Sequence, residues 1–210
     1  MKGYSLTERK VIDMGFLLGF QEYLDENYNT SVFDQAFESQ EPWEFHLHNH
    51  RIIKSKVQES LRYDLRISAE ETGEELLPKT DVKLLYPENL SDTITPLLKM
   101  DKKVRDLGLE PIIFPRMRHH IKNKSLFPLI KERRVLFFTL IEGEIVKGLV
   151  TGFTRYEINV VLKGGIPGYI LRHGVYDLRD KKGRYFLKSF QETRRDWEKS
   201  GLFVSPISKA

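Results

Sequence analysis

Apolar and polar side chains alternate in short segments of this chain, and that pattern predicts strands. Residues 64–67 alternate with the two-residue period of a strand that has one face in water. Apolar, β-branched runs at 144–150 and 156–162 are cut to strand length by glycines and by an Ile-Pro-Gly turn. The chain is therefore expected to be mainly β.

The strand-rich region occurs twice. A shift of about 93 residues, found by comparing the chain with itself, places residues 45–85 on residues 138–178 without a gap. The repeat predicts two small β modules. The shared apolar positions expected in the core of the second module are Phe138, Leu140, Ile145, Val150 and Val175.

Helices are predicted before and after these modules. A capping box at 5–8 and apolar residues at three- and four-residue steps predict a helix that ends near Leu24 and packs against the first module. Shorter helices are predicted at 31–40 and 126–133, before each module, and a basic amphipathic helix at 185–199. The predicted units are an N-terminal helix (1–30), a first module (31–86), a linker (87–120), a second module (121–180) and a basic C-terminal helix and tail (181–210).

Composition narrows the class of protein. The 210 residues include no cysteine, which excludes disulfides, zinc–thiolate sites and thiol catalysis and fits a reducing compartment. The apolar run at 15–20 is too short to cross a bilayer, so no membrane association is expected. We expect a cytoplasmic protein.

Charge is distributed unevenly although the net charge is only +4. Residues 22–44 contain seven acidic side chains and no Lys or Arg, whereas residues 116–134 contain seven basic side chains and one acid. The approaches to the two modules are therefore electrostatically unlike, and only the second favours an anionic partner.

Candidate catalytic chemistry is sparse. His46, His48 and His50 alternate along a predicted strand and would share one face, as a metal site requires, but no further ligand is linked to them in the sequence. The chain has no Walker loop, dinucleotide fingerprint, nucleophile elbow or metalloprotease helix. No cofactor and no enzymatic activity are predicted.

A basic and aromatic group of residues in the second module points to nucleic acid. Arginine and lysine can contact phosphates, while tyrosine and histidine rings can stack on unpaired bases. The alternative is that Tyr156 belongs to the core and the arginines are solvated surface, and composition leaves both open. The candidate RNA-binding residues are Lys131, Arg133, Arg134, Arg155, Tyr156, Arg172 and His173.

The second module resembles the Sm-like family, which includes the bacterial RNA chaperone Hfq. The resemblance rests on a short helix ending in Lys-Glu-Arg, on the Gly-Leu-Val-Thr-Gly-Phe run at 148–153 with the Arg-Tyr pair behind it, and on Leu-Arg-His-Gly-Val at 171–175. It implies two small, strongly bent, five-stranded Sm-like barrels of the SH3 type in tandem, each preceded by a helix. The first module keeps Arg62-Tyr63 but resembles the family less.

The resemblance also implies an assembly and a ligand. Family barrels join edge to edge into rings, with the fourth strand of one paired to the fifth strand of the next. Three tandem chains would then form a pseudo-hexameric ring. Single-stranded, U-rich RNA would stack on Tyr156, meet Arg172 and His173 near the pore, and contact Lys131 and Arg133 at the rim, in an RNA chaperone that acts in post-transcriptional regulation. Arg155 replaces a glutamine that usually contacts the base.

Two other interpretations remain open. Residues 142–148 and 163–169 resemble strands of an OB-fold, which binds RNA without forming a ring. The chain could instead be a protein-interaction scaffold whose acidic segment at 22–44 recruits a basic partner.

Overall fold

The computed structural model describes residues 16–69, 73–111, 121–188, 192–193 and 200–204. The helices are α1 (Phe20–Asn27), α2 (Val32–Ser39), α3 (Ser91–Ile94), α4 (Lys102–Arg105) and α5 (Asn123–Glu132). The strands are β1 (Phe16–Leu17), β2 (Trp43–Leu47), β3 (Ile52–Ser60), β4 (Asp64–Ala69), β5 (Gly73–Pro78), β6 (Val82–Pro87), β7 (Lys99–Met100), β8 (Leu136–Leu140), β9 (Glu144–Phe153), β10 (Glu157–Val161), β11 (Pro167–Leu171), β12 (Val175–Asp180), β13 (Tyr185–Lys188), β14 (Glu192–Thr193) and β15 (Phe203–Val204).

Thirteen of these strands form one antiparallel sheet, and β1 pairs separately with β15. We call β2 to β6 the first strand set and β8 to β12 the second. Their orders are β5-β4-β3-β2-β6 and β11-β10-β9-β8-β12, and the two sets join where β6 pairs with β11. The mainly β prediction is confirmed. The described strands form no closed barrel.

The sequence repeat is also a repeat of structure. β2 and β8 begin and end 93 residues apart, as do β6 and β12. Register shifts leave Gln58 in β3 and Thr151 in β9 outside the ladder, at equivalent positions. Lys83 in β6 and Tyr176 in β12 are skipped in the same way. Because bulges increase local bend and twist, both sets are distorted at the same points.

Two hydrophobic clusters fill the interior, one beneath each strand set. Each includes residues of the other set, because Leu84 and Tyr86 of β6 pack in the second core and Leu171 of β11 packs in the first. Of the five predicted core positions, Phe138, Leu140, Val150 and Val175 are buried. Ile145 is only half-buried, and its counterpart Ile52 is 54% exposed, so the repeat at this position is not a core position.

A buried lysine binds the two strand sets together. Lys83 of the first set is fully buried, and its Nζ donates to Glu144 Oε1 at 2.6 Å and to Glu142 Oε2. Glu142 Oε1 also accepts the backbone N–H of Asn49 at 2.5 Å. A lysine tolerates burial only when paired, so the two carboxylates make this joint possible.

Helices α2 and α5 confirm the short helices predicted before each module. Ser31 caps α2 by accepting the N–H of Phe33, and Arg133, with φ of 46°, ends α5 in the left-handed conformation. The segment between the sets is not a bare loop, because it contains α3, β7 and α4, and β7 pairs with β9.

The N-terminal prediction is only partly right. Residues 1–15 lie outside the described residues, and Phe16–Leu17 is a strand, so the helix begins at Phe20. The expected packing against the first module is wrong. Tyr23 instead donates to Phe153 O at 2.8 Å and its ring lies 4.8 Å from the Phe153 ring, which fixes α1 to the second strand set.

The predicted helix at 185–199 is wrong where the structure describes it, because Tyr185–Lys188 and Glu192–Thr193 are strands. Asp180 Oδ1 accepts the N–H groups of Lys182 and Arg184 at 2.8 and 3.0 Å and turns the chain back onto β12. Phe186 and Leu187 are then 4% and 0% exposed. Sheet pairing outweighs the helical spacing, since local propensity is weak beside tertiary packing. No helix among the described residues is long and apolar enough to cross a membrane.

We expect Lys83→Ala to lower the free energy of unfolding by about 3–5 kcal/mol, because it leaves two partly buried carboxylates without their cation. Chemical denaturation in urea measures the change. Lys56→Ala, at an exposed position of β3, is the matched control and should change stability by less than about 0.5 kcal/mol. Equal effects of the two substitutions would contradict the role assigned to Lys83.

Candidate nucleic-acid interface

An arginine and a tyrosine protrude from the turn between β9 and β10. The Thr154 hydroxyl accepts the N–H of Tyr156 at 3.2 Å and that of Glu157 at 3.4 Å, which fixes the turn. Tyr156 is 57% exposed, and Arg155 is exposed as well. Residues of these types held in a rigid turn can offer a ring face and a cation to the same ligand. Tyr156 is therefore not a core residue.

Arg155 also contacts the segment that enters α2. Its N–H donates to Tyr28 O at 3.0 Å, and its guanidinium carbon lies 5.6 Å from the centre of the Tyr28 ring. A guanidinium over an aromatic ring is favourable and leaves its other face available. Tyr28, Arg155 and Tyr156 thus form one surface, and Tyr28 was not among the residues predicted from sequence.

The first strand set carries the same turn between β3 and β4. Tyr63 is 67% exposed, and the Arg62 guanidinium carbon lies 5.1 Å from the centre of its ring. The backbone bonds match as well, since Lys79 N donates to Tyr63 O at 2.9 Å and Arg172 N donates to Tyr156 O at 2.8 Å. We call these two turns the Arg-Tyr turns. The repeat was the signal that could have identified Arg62 and Tyr63 as a second site.

Arg172 lies in the interior. It is 5% exposed, and its Nη1 donates to Asn123 Oδ1 at 2.7 Å and to Ile121 O at 3.4 Å. Its guanidinium also lies 5.2 Å from the centre of the Phe153 ring, and burial lowers the pKa of Arg172 to about 10. In this structure the side chain holds the start of α5 against the second strand set, and it does not share the exposed surface of Tyr156.

His173 lies at the joint between the strand sets. It is half-buried, and its ring centre is 6.3 Å from that of His48 in the first set. Burial, followed by the charge of Lys83, lowers the pKa of His48. Both imidazoles therefore sit between the two sets, beside the 3-10 turn that links β11 to β12.

The predicted basic residues around the end of α5 divide into two kinds. Lys131 and Arg133 are exposed. Arg134 is half-buried and pairs with Glu132 at 2.5 Å and with Asp180 at 3.5 Å. Lys131 and Arg133 can therefore contact a phosphate without breaking an internal ion pair among those described, whereas Arg134 serves the turn before β13.

The three alternating histidines do not share a face, because β2 ends at Leu47 and the chain turns at Asn49 and His50, where φ is positive. His46 is buried, and its Nε2 lies 2.9 Å from Glu44 Oε1 and 2.7 Å from the Tyr86 hydroxyl. Among the described residues, the group with metal-ligand spacing consists of His50, Glu142 and Glu144. The ammonium of Lys83 already pairs with both carboxylates, so the cluster favours no metal ion.

A cavity of about 360 Å³ lies between α2 and the strands β10 and β11. Three acidic side chains, Asp34, Glu38 and Glu157, line it, and no basic residue of the described part of the chain does. Burial raises the pKa of Glu157, although the Val32 N–H donates to its Oε1 at 2.9 Å. Acidic walls repel phosphate, so an RNA backbone is expected to follow the Arg-Tyr turns and not to enter this cavity.

Comparison with known proteins identifies no relative: the chain matches no family model, no curated protein and no solved structure.

The buried, hydrogen-bonded cluster around Glu44 should make the stability of the folded chain fall at acidic pH. Burial opposes ionisation, but hydrogen bonds from His46, Ser91 and Tyr86 lower the pKa of Glu44 to about 2, against an ordinary value of 4.5. The stabilisation is complete above pH 4.5 and is lost as the pH falls toward 2. Glu44→Gln should reduce the acid-induced loss of stability by an amount on the order of 2 kcal/mol.

The measurement is urea denaturation at intervals between pH 6 and pH 2. Glu41→Gln, which removes an exposed carboxylate three residues away, is the control and should leave the pH dependence close to that of the natural chain. A Glu44→Gln profile parallel to the natural one would show that this cluster does not drive acid unfolding.

Proposed function

We propose that this protein binds single-stranded RNA through the two Arg-Tyr turns, one in each strand set. The observation that carries the proposal is the duplication of an exposed tyrosine beside an exposed arginine, at equivalent turns of two strand sets joined in one sheet. Burying a tyrosine normally stabilises a small domain, so two large exposed rings at equivalent positions favour a ligand-binding role.

The chemistry of the turns suits unpaired bases. Stacking of a base on an aromatic side chain contributes about 1–3 kcal/mol and accepts any base, while arginine supplies the phosphate contact. Two such turns on one chain engage one strand of RNA twice, which raises the effective concentration for the second contact. The preference for U-rich RNA rests on the resemblance of the second module to the Sm-like family.

In this proposal the Arg-Tyr turn of the second strand set binds RNA more tightly than the turn of the first set. The helix that enters the second set, α5, ends in the exposed Lys131 and Arg133, and the turn of that set carries Arg155. The helix that enters the first set, α2, carries the acidic Asp34 and Glu38 and no basic side chain. RNA binding depends on neutralised phosphates and weakens as salt is added. The first turn then acts mainly as a second stacking point.

The Sm-like architecture is part of the same proposal. The fourth strand of the second set, β11, pairs with the fifth strand of the first, β6, which is the edge-to-edge contact that the family resemblance implies between neighbouring barrels. Bulges at equivalent positions support two strongly bent modules. We propose a cytoplasmic RNA-binding protein with a chaperone role, in which Arg172 and His173 shape the joint between modules.

Tyr156→Ala should weaken binding of a U-rich oligonucleotide by roughly 5- to 100-fold, because it removes a stacking surface worth about 1–3 kcal/mol. Tyr63→Ala should have a smaller effect, and the double variant the largest. Fluorescence anisotropy of a labelled oligo-U strand measures the affinities. Phe16→Ala, which removes another exposed ring at 58% exposure, is the matched control and should bind normally.

Arg155→Ala should lower the affinity and also reduce the slope of log affinity against log salt by about one, the change expected for one lost phosphate contact. A folded double variant of Tyr63 and Tyr156 that binds RNA as well as the natural chain would rule out the Arg-Tyr turns as the site. A natural chain without salt-dependent binding of oligo-U would favour the protein-interaction scaffold.

A further inference from the structure

The internal joint shows how one strand set receives another. The outer edge of β6 pairs with β11, so that Leu85 lies opposite Tyr169 and Leu84 lies opposite Ile170. Tyr169 also packs its ring 5.6 Å from that of Trp43 in the first set. The fifth strand of a set thus binds the fourth strand of the next set through backbone pairing and an apolar side chain.

The fifth strand of the second set is β12, and its outer edge is occupied by the same chain. Leu178 of β12 lies opposite Leu187 of β13, and Arg179 lies opposite Tyr185. Leu178 stands 93 residues after Leu85, so Leu187 occupies on β12 the place that Tyr169 occupies on β6. Both pairings are antiparallel, which means that β13 substitutes for a fourth strand in direction as well as in position.

The opposite end of the sheet is open. β5 is the fourth strand of the first set and the counterpart of β11, but among the described residues its only strand partner is β4. Leu76, the counterpart of Tyr169, is 58% exposed. An unpaired edge strand with an exposed apolar side chain is a template for another strand, and proteins normally cover it. The internal joint identifies the strand that fits: a fifth strand, such as β12 of a second copy.

The attachment of β13 depends on a small turn. The Asp180 carboxylate accepts two N–H groups of the turn and pairs with Arg134, and β13 itself has only four residues. The two-residue strand β14 pairs with the outer side of β13, so the two form a short hairpin at the end of the sheet. Such a hairpin is held by few backbone bonds and opens more readily than a central strand. Its release exposes Phe186 and Leu187, which are buried, but leaves β12 paired with β8. Leu76 of an incoming β5 would then take the place of Leu187 on β12.

We propose that β13 is a displaceable cap on the assembly edge of this protein, and that its release lets β12 pair with β5 of a second copy of the chain. The inference rests on the proposed Sm-like arrangement. Capped chains stay single, and uncapped chains join end to end; three of them close the six-module ring that the family resemblance implies. The cap therefore controls whether RNA meets two Arg-Tyr turns or six.

The proposed joint between two copies would have other side chains than the internal joint, and these side chains are compatible with one another. Tyr176 and Arg51 stand 93 residues from Lys83 and Glu144, so they would take the places of the buried lysine and one of its carboxylates. An arginine against a tyrosine ring is a favourable pair that carries no buried like charge. Arg51 pairs with Glu75 at 2.8 Å in the single chain, and its guanidinium can keep that carboxylate while one face meets the tyrosine ring of the second copy.

The test compares the mass in solution of the full-length chain with that of two cap variants, by analytical ultracentrifugation at micromolar concentration. Leu187→Asp places a charge where the cap strand is buried, and Asp180→Ala removes the turn contacts together with the ion pair to Arg134. The natural chain should sediment as a single chain, and both variants should shift to a discrete species of threefold mass. Adding Leu76→Lys on β5 should return them to single chains.

Ile52→Lys is the matched control, because it places the same charge at an equally exposed apolar position of β3 that is not at the sheet edge. The proposal is overturned if folded cap variants remain single chains, if the natural chain already has threefold mass while the β13 amides are protected from hydrogen exchange, or if Leu76→Lys fails to reverse assembly. Should Leu187→Asp lose its circular dichroism signal, Asp180→Ala decides the question alone.

Binding of oligo-U by the same variants separates this inference from the proposed function. Assembly that follows the cap without any RNA binding would refute the RNA function and leave the cap intact. RNA binding that depends on the Arg-Tyr turns while every cap variant remains a single folded chain would refute only the cap.

Discussion

The pairing of β6 with β11 is the contact on which the rest of this structure depends. It converts two five-stranded sets into one sheet and satisfies backbone groups that an edge strand leaves open. It also forces Lys83 into the interior, where the ammonium needs Glu142 and Glu144 as partners. Glu142 in turn accepts the N–H groups of Asn49 and His50, so the positive φ angles of that turn are stabilised from the neighbouring set.

The same joint separates the residues that hold the fold from those that can meet a ligand. Arg172, His173 and Gly174 link β11 to β12 beside the joint, and a side-chain carbon on Gly174 would lie 3.1 Å from Lys83 Cα. This close approach leaves the arginine buried against Asn123 and the histidine beside His48. The turn that carries Tyr156 is bonded to Arg172 through the backbone, but its ring, like that of Tyr63, remains exposed.

The two ends of the sheet are not equivalent, although the sets that form them are related by the repeat. One end carries the hairpin of β13 and β14 on β12, and at the other end β5 has no outer strand partner among the described residues. A symmetric tandem of modules would either assemble freely or expose two edges to aggregation. A short C-terminal hairpin on one end is sufficient to make the chain self-limiting, because edge-to-edge growth needs both ends.

The spacing of apolar residues along the chain predicts many of the strands and helices and shows that they repeat. This spacing shows the period of each segment and the face that is buried. It therefore predicts the alternating strands, the 93-residue repeat and the helices before each module. Long-range packing exposes Tyr156, buries Arg172 and separates His46 from His50. Leu187 and Phe186 show why: their spacing suits a helix, but the open edge of β12 offered backbone partners that a helix could not use. Whether a strand edge, a charged group or an aromatic ring is covered depends on segments that are distant in the chain. A local pattern carries no information about those segments.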